Sequence, residues 1–97
     1  MDVPADSAYV ERIRSAAISV KGVKNVEKLW VRKSGLEYFA DIHIEVAPNL
    51  SVAEGHRISH QVKDLLITEF SNLRDVLTHL EPFHMSTGNA RNEDRLA

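Results

Sequence analysis

Hydrophobic residues recur every three or four positions near the start of the chain, which is the spacing of an amphipathic helix. Asp6 or Ser7 can cap this helix at its first turn. We expect it to end at Gly22 after about four turns, since glycine readily takes the positive φ found at helix C-termini. The residues of the apolar stripe are Tyr9, Val10, Ile13, Ala16, Ala17 and Val20.

Further along, the pattern changes to the alternation of β-strands. Residues 26–32 and 37–46 are two such runs, and the short turn between them predicts a β-hairpin. A capping-box spacing that begins at Ser51 opens a second amphipathic helix, which extends to about Phe70. Residues 74–81 are the last strand, which ends at a proline.

The order of these elements, α-β-β-α-β, predicts a small α+β two-layer sandwich. We expect both helices to pack on one face of an antiparallel sheet, which leaves the other sheet face open. Residues 1–85 would form this domain. Residues 86–97 are polar and without a pattern, and we expect them to be a disordered tail.

Composition then restricts the functions of such a domain. The absence of cysteine from its 97 residues excludes disulfides, thiolate metal sites and a cysteine nucleophile. Twelve basic residues are scattered among fourteen acidic ones, so nucleic acid is not an expected partner. No apolar run approaches the ~20 residues that span a bilayer, and the N-terminus does not resemble a signal peptide, so we expect a soluble chain that is not exported.

Several histidines are candidate metal ligands. His79 and Glu81 lie two positions apart on a strand, so they face the same way, and His43 alternates with the apolar residues of its own strand. All three would lie on the open sheet face. His56 and His60, at i and i+4 of the second helix, can chelate a metal weakly. Imidazole and carboxylate suit divalent transition metals, but exposed histidines also occur without any metal.

The same open face carries apolar side chains. Phe39 and Leu77 fall on it, together with either Leu29 or Trp30, depending on the strand register. An exposed face that mixes apolar and ligating residues favours a partner surface, most simply a homodimer interface. Trp30 can equally cover the edge of the core.

Four short motifs follow one another in a distinctive order. V-x-G-V begins at Val20, I-H-I-E-V at Ile42, S-V-x-E-x-H at Ser51 and H-x-E-P at His79. Over residues 8–83 this succession resembles the C-terminal cytoplasmic domain of cation diffusion facilitator transporters. The resemblance implies a metallochaperone-like fold and a V-shaped homodimer attached to a membrane domain that exchanges Zn, Mn, Fe, Co or Ni for protons. No membrane domain is present in this sequence, so we expect an excised domain or a free-standing relative.

The resemblance also implies a set of metal ligands and a regulatory rather than enzymatic role. Many members of the family have Asp at the position of Glu81, and the longer side chain can alter the geometry or the metal preference. Zinc is the first expectation for the cation. A free-standing metal-binding protein and a metal-independent dimerisation domain are the alternatives. The ligands that match the family pattern are His43, His56, His79 and Glu81, to which residue type alone adds His60 and His84.

Overall fold

The computed structural model describes residues 2–84, which form two helices and one four-stranded sheet. Both helices and all three expected strands are present, and a short strand precedes them. Residues 86–97, for which we predicted a disordered tail, lie outside the described residues. In chain order the elements are β1 Asp2–Pro4, α1 Ser7–Ile18, β2 Asn25–Ser34, β3 Glu37–Val46, α2 Val52–Glu69 and β4 Leu73–Pro82.

The sheet is mixed, so the prediction of a purely antiparallel sheet is wrong. The strands lie in the order β1-β2-β3-β4; β2 and β3 form the predicted antiparallel hairpin, but β3 and β4 are parallel. The reason is the connection between them. Helix α2 returns the chain across the sheet to the end where β3 began, and a strand that starts there must run in the same direction as β3. Strand β1 was missed because three residues are too few to show an alternation.

Each helix begins at the expected cap. The Asp6 side chain accepts a hydrogen bond from the Tyr9 amide at 3.0 Å, and the Ser51 hydroxyl accepts one from the Glu54 amide at 3.1 Å. Helix α1 ends at Ile18, about one turn before the predicted end. Tight turns follow it, and they lead to Gly22, whose φ of +100° requires the freedom of glycine.

The core lies between the sheet and the two helices. The alternate residues of β3 from Ala40 to Val46 are buried in it, which confirms the prediction that the apolar side of this strand faces the helices. Helix α2 comes close to β4 at Gly55, where an added Cβ would lie 3.1 Å from Leu80 Cδ1. The opposite face of the sheet has no covering layer within the described residues, and the candidate ligands of the strands lie on it. The largest fully buried side chains are Ile13, Ile42, Ile44, Leu66 and Val62.

Candidate metal centre

The strand register arranges the open face in rows that cross β2, β3 and β4. Trp30, Asp41 and Leu77 are cross-strand neighbours and form one row. In the adjacent row, His43 lies between Lys28 and His79. Of the two residues that the sequence left open, Trp30 is therefore on this face, while Leu29 packs against the core.

A β-bulge adds a residue that the sequence reasoning missed. The pairing of β2 with β3 skips Glu27, so Glu27 and Lys28 together oppose His43. This extra residue turns the Glu27 carboxylate towards the open face. A signal was available in the sequence. Val26 and Val31 are both core residues but lie an odd number of positions apart, which a regular strand cannot accommodate on one face.

Glu27, His43 and Glu81 form a compact cluster of possible ligands. One ligand atom from each residue lies within 4.8 Å of the other two. The shortest contact joins His43 Nδ1 to Glu81 Oε2 at 2.7 Å. Three strands supply these residues, so β2, β3 and β4 must all be paired to bring them together.

The two carboxylates shift each other's pKa in opposite directions. The hydrogen bond from His43 to Glu81, followed by the one from Glu27, lowers the pKa of Glu81. The pKa of Glu27 is raised, first because its protonated form donates a hydrogen bond to Glu81, then by partial desolvation and by the negative charge nearby. The Glu27 and Glu81 carboxylates therefore concentrate negative charge beside the His43 imidazole.

This donor set fits a divalent cation. Carboxylate oxygens and imidazole nitrogens bind such ions at about 2.0–2.2 Å, so neighbouring ligand atoms around one ion lie about 3 to 4 Å apart. The cluster needs only small side-chain adjustments to reach that arrangement. A bound cation would also offset the repulsion between the Glu27 and Glu81 carboxylates.

His79 lies beside the cluster rather than in it. Its ring stacks on that of His43, with centroids 4.2 Å apart and planes 14° apart. The Trp30 ring meets His43 edge-on at 5.7 Å. The predicted ligands of the two strands are thus brought together, next to the exposed indole.

The remaining predicted ligands lie elsewhere in the protomer. His56 and His60 are exposed on α2, where their Nε2 atoms are 3.0 Å apart. His56 also lines a cavity of about 300 Å³ that Glu81 borders from the end of β4. His84 is exposed just beyond β4. Within one described protomer, no three-ligand group includes these histidines.

Comparison with known proteins identifies the family. The family described as cation efflux protein, cytoplasmic domain, matches residues 5–83. The chain belongs to this family. Membership confirms the resemblance seen in the sequence, and with it the expectation of a cytoplasmic transporter domain rather than an enzyme. Neither helix within residues 2–84 has the length and apolarity needed to cross a membrane.

Curated relatives of the domain are much longer proteins. Metal tolerance protein 2 of Oryza sativa subsp. japonica is 31% identical over 80 residues, which are 82% of this chain and 21% of that protein. The cation-efflux pump FieF of Cronobacter sakazakii is 30% identical over 79% of this chain and 27% of the pump. The manganese efflux system protein MneP of Bacillus subtilis is 22% identical over 86% and 28%. The chain thus spans roughly a fifth to a quarter of these relatives.

Solved structures confirm the metallochaperone-like fold. A nickel form of a MamM CTD variant superposes with a TM-score of 0.79 at 26% identity, covering 81% of this chain and 100% of that one. A manganese form of another variant gives 0.76 at 28% identity, covering 78% and 96%. A cadmium form gives 0.78 at 27% identity, covering 80% and 98%. The fold that carries the open sheet face has therefore been crystallised, in these MamM CTD variants, in nickel, manganese and cadmium forms.

Proposed function

We propose that this domain is the dimerisation and metal-sensing part of a cation diffusion facilitator transporter. The observation that supports the proposal best is the Glu27, His43 and Glu81 cluster, which lies on an uncovered sheet face instead of in the core. A divalent cation bound there regulates cation and proton exchange by an attached membrane domain. His79, stacked on His43, is a further ligand once its ring turns towards the ion.

The dimer interface in this proposal is the open face itself. Trp30 is 58% exposed and Leu77 is 56% exposed, and both lie in the row next to the histidines, with Phe39 in the row beyond. Such side chains are stabilised when a second copy covers them. A cation at the edge of this surface adds contacts that only the closed dimer makes, so binding shifts the equilibrium towards the closed state.

Zinc is the first cation that we propose. Two carboxylates and one or two imidazoles accept Zn, Fe, Mn, Co and Ni, and the general affinity order favours zinc over manganese and iron. The names of relatives are consistent with divalent cations as a class: one is a manganese efflux protein, and MamM CTD variants have nickel, cadmium and manganese forms.

Calorimetric titration with Zn²⁺ tests the site. We expect a His43→Ala, His79→Ala double variant to lose the binding event of the open-face cluster, because it removes one cluster ligand and the ring stacked on it. A His84→Ala variant is the matched control, since it removes an exposed histidine outside the cluster. Equal Zn²⁺ uptake by the double variant and the wild type would show that this cluster is not the metal site.

Sedimentation without metal tests the interface. We expect a dimer at micromolar concentration for the wild type and a shift towards monomer for Trp30→Ser. Leu36→Ser is the matched control, because Leu36 is 83% exposed in the turn between β2 and β3, away from the proposed interface. A wild-type chain that is monomeric at this concentration, or equal dissociation of both variants, would overturn the assignment.

A further inference from the structure

Two imidazoles on α2 are in direct contact outside the cluster of the open face. The Nε2 atoms of His56 and His60 lie 3.0 Å apart, and their ring centroids are 4.5 Å apart. Both residues are exposed, so burial does not force this contact. A hydrogen bond between them requires a hydrogen on one Nε2 and a free lone pair on the other.

The separation of these nitrogens is also that of two ligands on one metal ion. Imidazole nitrogens bind Zn²⁺ and similar ions at about 2.0–2.1 Å, and for ligand angles between 90° and 109° the two nitrogens then lie about 2.9 to 3.4 Å apart. The observed 3.0 Å falls within this interval. A cation can therefore replace the shared hydrogen with little movement of either ring.

The surroundings favour a polar occupant. Both rings line a cavity of about 250 Å³ between α2 and β4. Thr78 lines the same cavity, and its Oγ1 is buried without a hydrogen-bond partner among the described residues. Lys63 is the cationic neighbour, but its ammonium group is paired with Asp75 at 3.3 Å. The space accommodates a metal ion with several waters, each of which occupies about 30 Å³.

We propose that His56 and His60 form a second divalent-cation site on the helical layer, separate from the cluster on the open face. The two imidazoles are the protein ligands, and water fills the other positions, one of them within reach of the Thr78 hydroxyl. Because the donors are nitrogen only, the site selects Ni²⁺, Cu²⁺ and Zn²⁺ and rejects Mn²⁺, which prefers carboxylate and water. The carboxylate-rich cluster of the open face has no such bias.

The test begins with a tag-free full chain in which the open-face cluster is disabled by Glu27→Gln, His43→Ala and Glu81→Gln. We expect this chain to keep about one equivalent of Ni²⁺ in calorimetry and to bind no Mn²⁺. Adding His60→Ala should weaken Ni²⁺ binding at least tenfold, since a chelate becomes a single ligand. Gln61→Ala, at the neighbouring exposed position of α2, is the matched control and should change nothing.

A second measurement uses the cluster-disabled chain with His79→Ala added, so that no imidazole of the open face competes for the metal. Electron paramagnetic resonance of Cu²⁺ added to this chain at low occupancy should show two imidazole nitrogens, and one after His60→Ala. Absence of Ni²⁺ binding in the cluster-disabled chain while it remains folded, or Ni²⁺ binding that His60→Ala leaves unchanged, overturns the second site. Failure of the cluster proposal would appear instead as absence of Zn²⁺ binding in the His60→Ala variant with the cluster intact, so the two proposals fail separately.

Discussion

Replacing Glu27 with glutamine separates the two roles that the structure gives to this side chain. In the metal-free protein Glu27 is an acid held close to Glu81, and in the metal-bound protein we propose that it is a ligand. A glutamine amide donates a hydrogen bond to Glu81 at any pH, but it has no negative charge and is a poor ligand. Glu27→Gln should therefore stabilise the metal-free domain while it weakens metal binding.

The size of the first effect follows from the distance between the ligand atoms. Two unit charges 4.8 Å apart, the limit found for this cluster, repel by about 0.9 kcal/mol in a water-like dielectric. Physiological salt reduces this to about 0.5 kcal/mol, because the Debye length is about 8 Å. For a domain of this size, removal of the repulsion raises Tm by about 2 to 4 °C in salt and roughly twice as much without it.

The second effect is a loss of metal-induced stabilisation. Loss of one ligand should weaken Zn²⁺ affinity at least tenfold, which removes about 1.4 kcal/mol of stabilisation at a fixed excess of Zn²⁺. Thermal melts at pH 8 and constant protein concentration, with and without Zn²⁺, measure both effects. Glu37→Gln is the control for net charge, since it makes the same charge change at the other end of β3, about 20 Å away. Glu37 pairs with Arg74 at 3.9 Å, so its replacement should lower Tm slightly or leave it unchanged. A lower Tm of Glu27→Gln without metal, or an undiminished Zn²⁺ response, would refute the reasoning.

Two further substitutions test the fold around the site. Gly22→Ala should destabilise the domain by about 2–4 kcal/mol in urea unfolding, since φ is +100° there and the new Cβ would lie 2.6 Å from Ile58 Cδ1. Gly35→Ala, with φ +64° in open space, should cost about 1 kcal/mol. Equal costs of the two substitutions would contradict the packing argument. Asp75→Asn tests pH dependence. The Val76 amide lowers the pKa of Asp75, so its stabilisation is present above the unfolded-state pKa of about 3.9 and is lost as pH falls through the lower folded-state value. The stability difference between wild type and Asp75→Asn should disappear in strong acid, and a difference that persists there would exclude this origin.

Regular periodicity made most of the fold predictable from the sequence. The alternation of β3 placed His43 opposite the buried Ile42 and Ile44, and the capping spacing located the start of α2. The bulge at Glu27 was not predicted, because its sign in the sequence is only the odd spacing between Val26 and Val31, which also fits a change of face along a regular strand. That single residue decides the composition of the cluster.

Strand direction and spatial pairing were harder to predict. An alternating strand has the same pattern whether its neighbour is parallel or antiparallel, so the direction of β4 depended on the long connection through α2. The contact between His56 and His60 follows from helical spacing alone. The packing of α2 on the sheet face opposite the cluster, which separates His56 from it, is set by tertiary contacts that no periodicity specifies.

The parallel pairing of β3 with β4 also bears on the order of events in folding. His43 and Glu81 are 38 residues apart in sequence, and they meet only after α2 has crossed the sheet and β4 has docked at its edge. Long-range parallel pairing forms slowly because a large loop must close first. Where β4 docks after the transition state, a cation bound to this cluster slows unfolding and leaves the folding rate almost unchanged. The metal would then prolong the lifetime of a sheet that the chain has to complete without it.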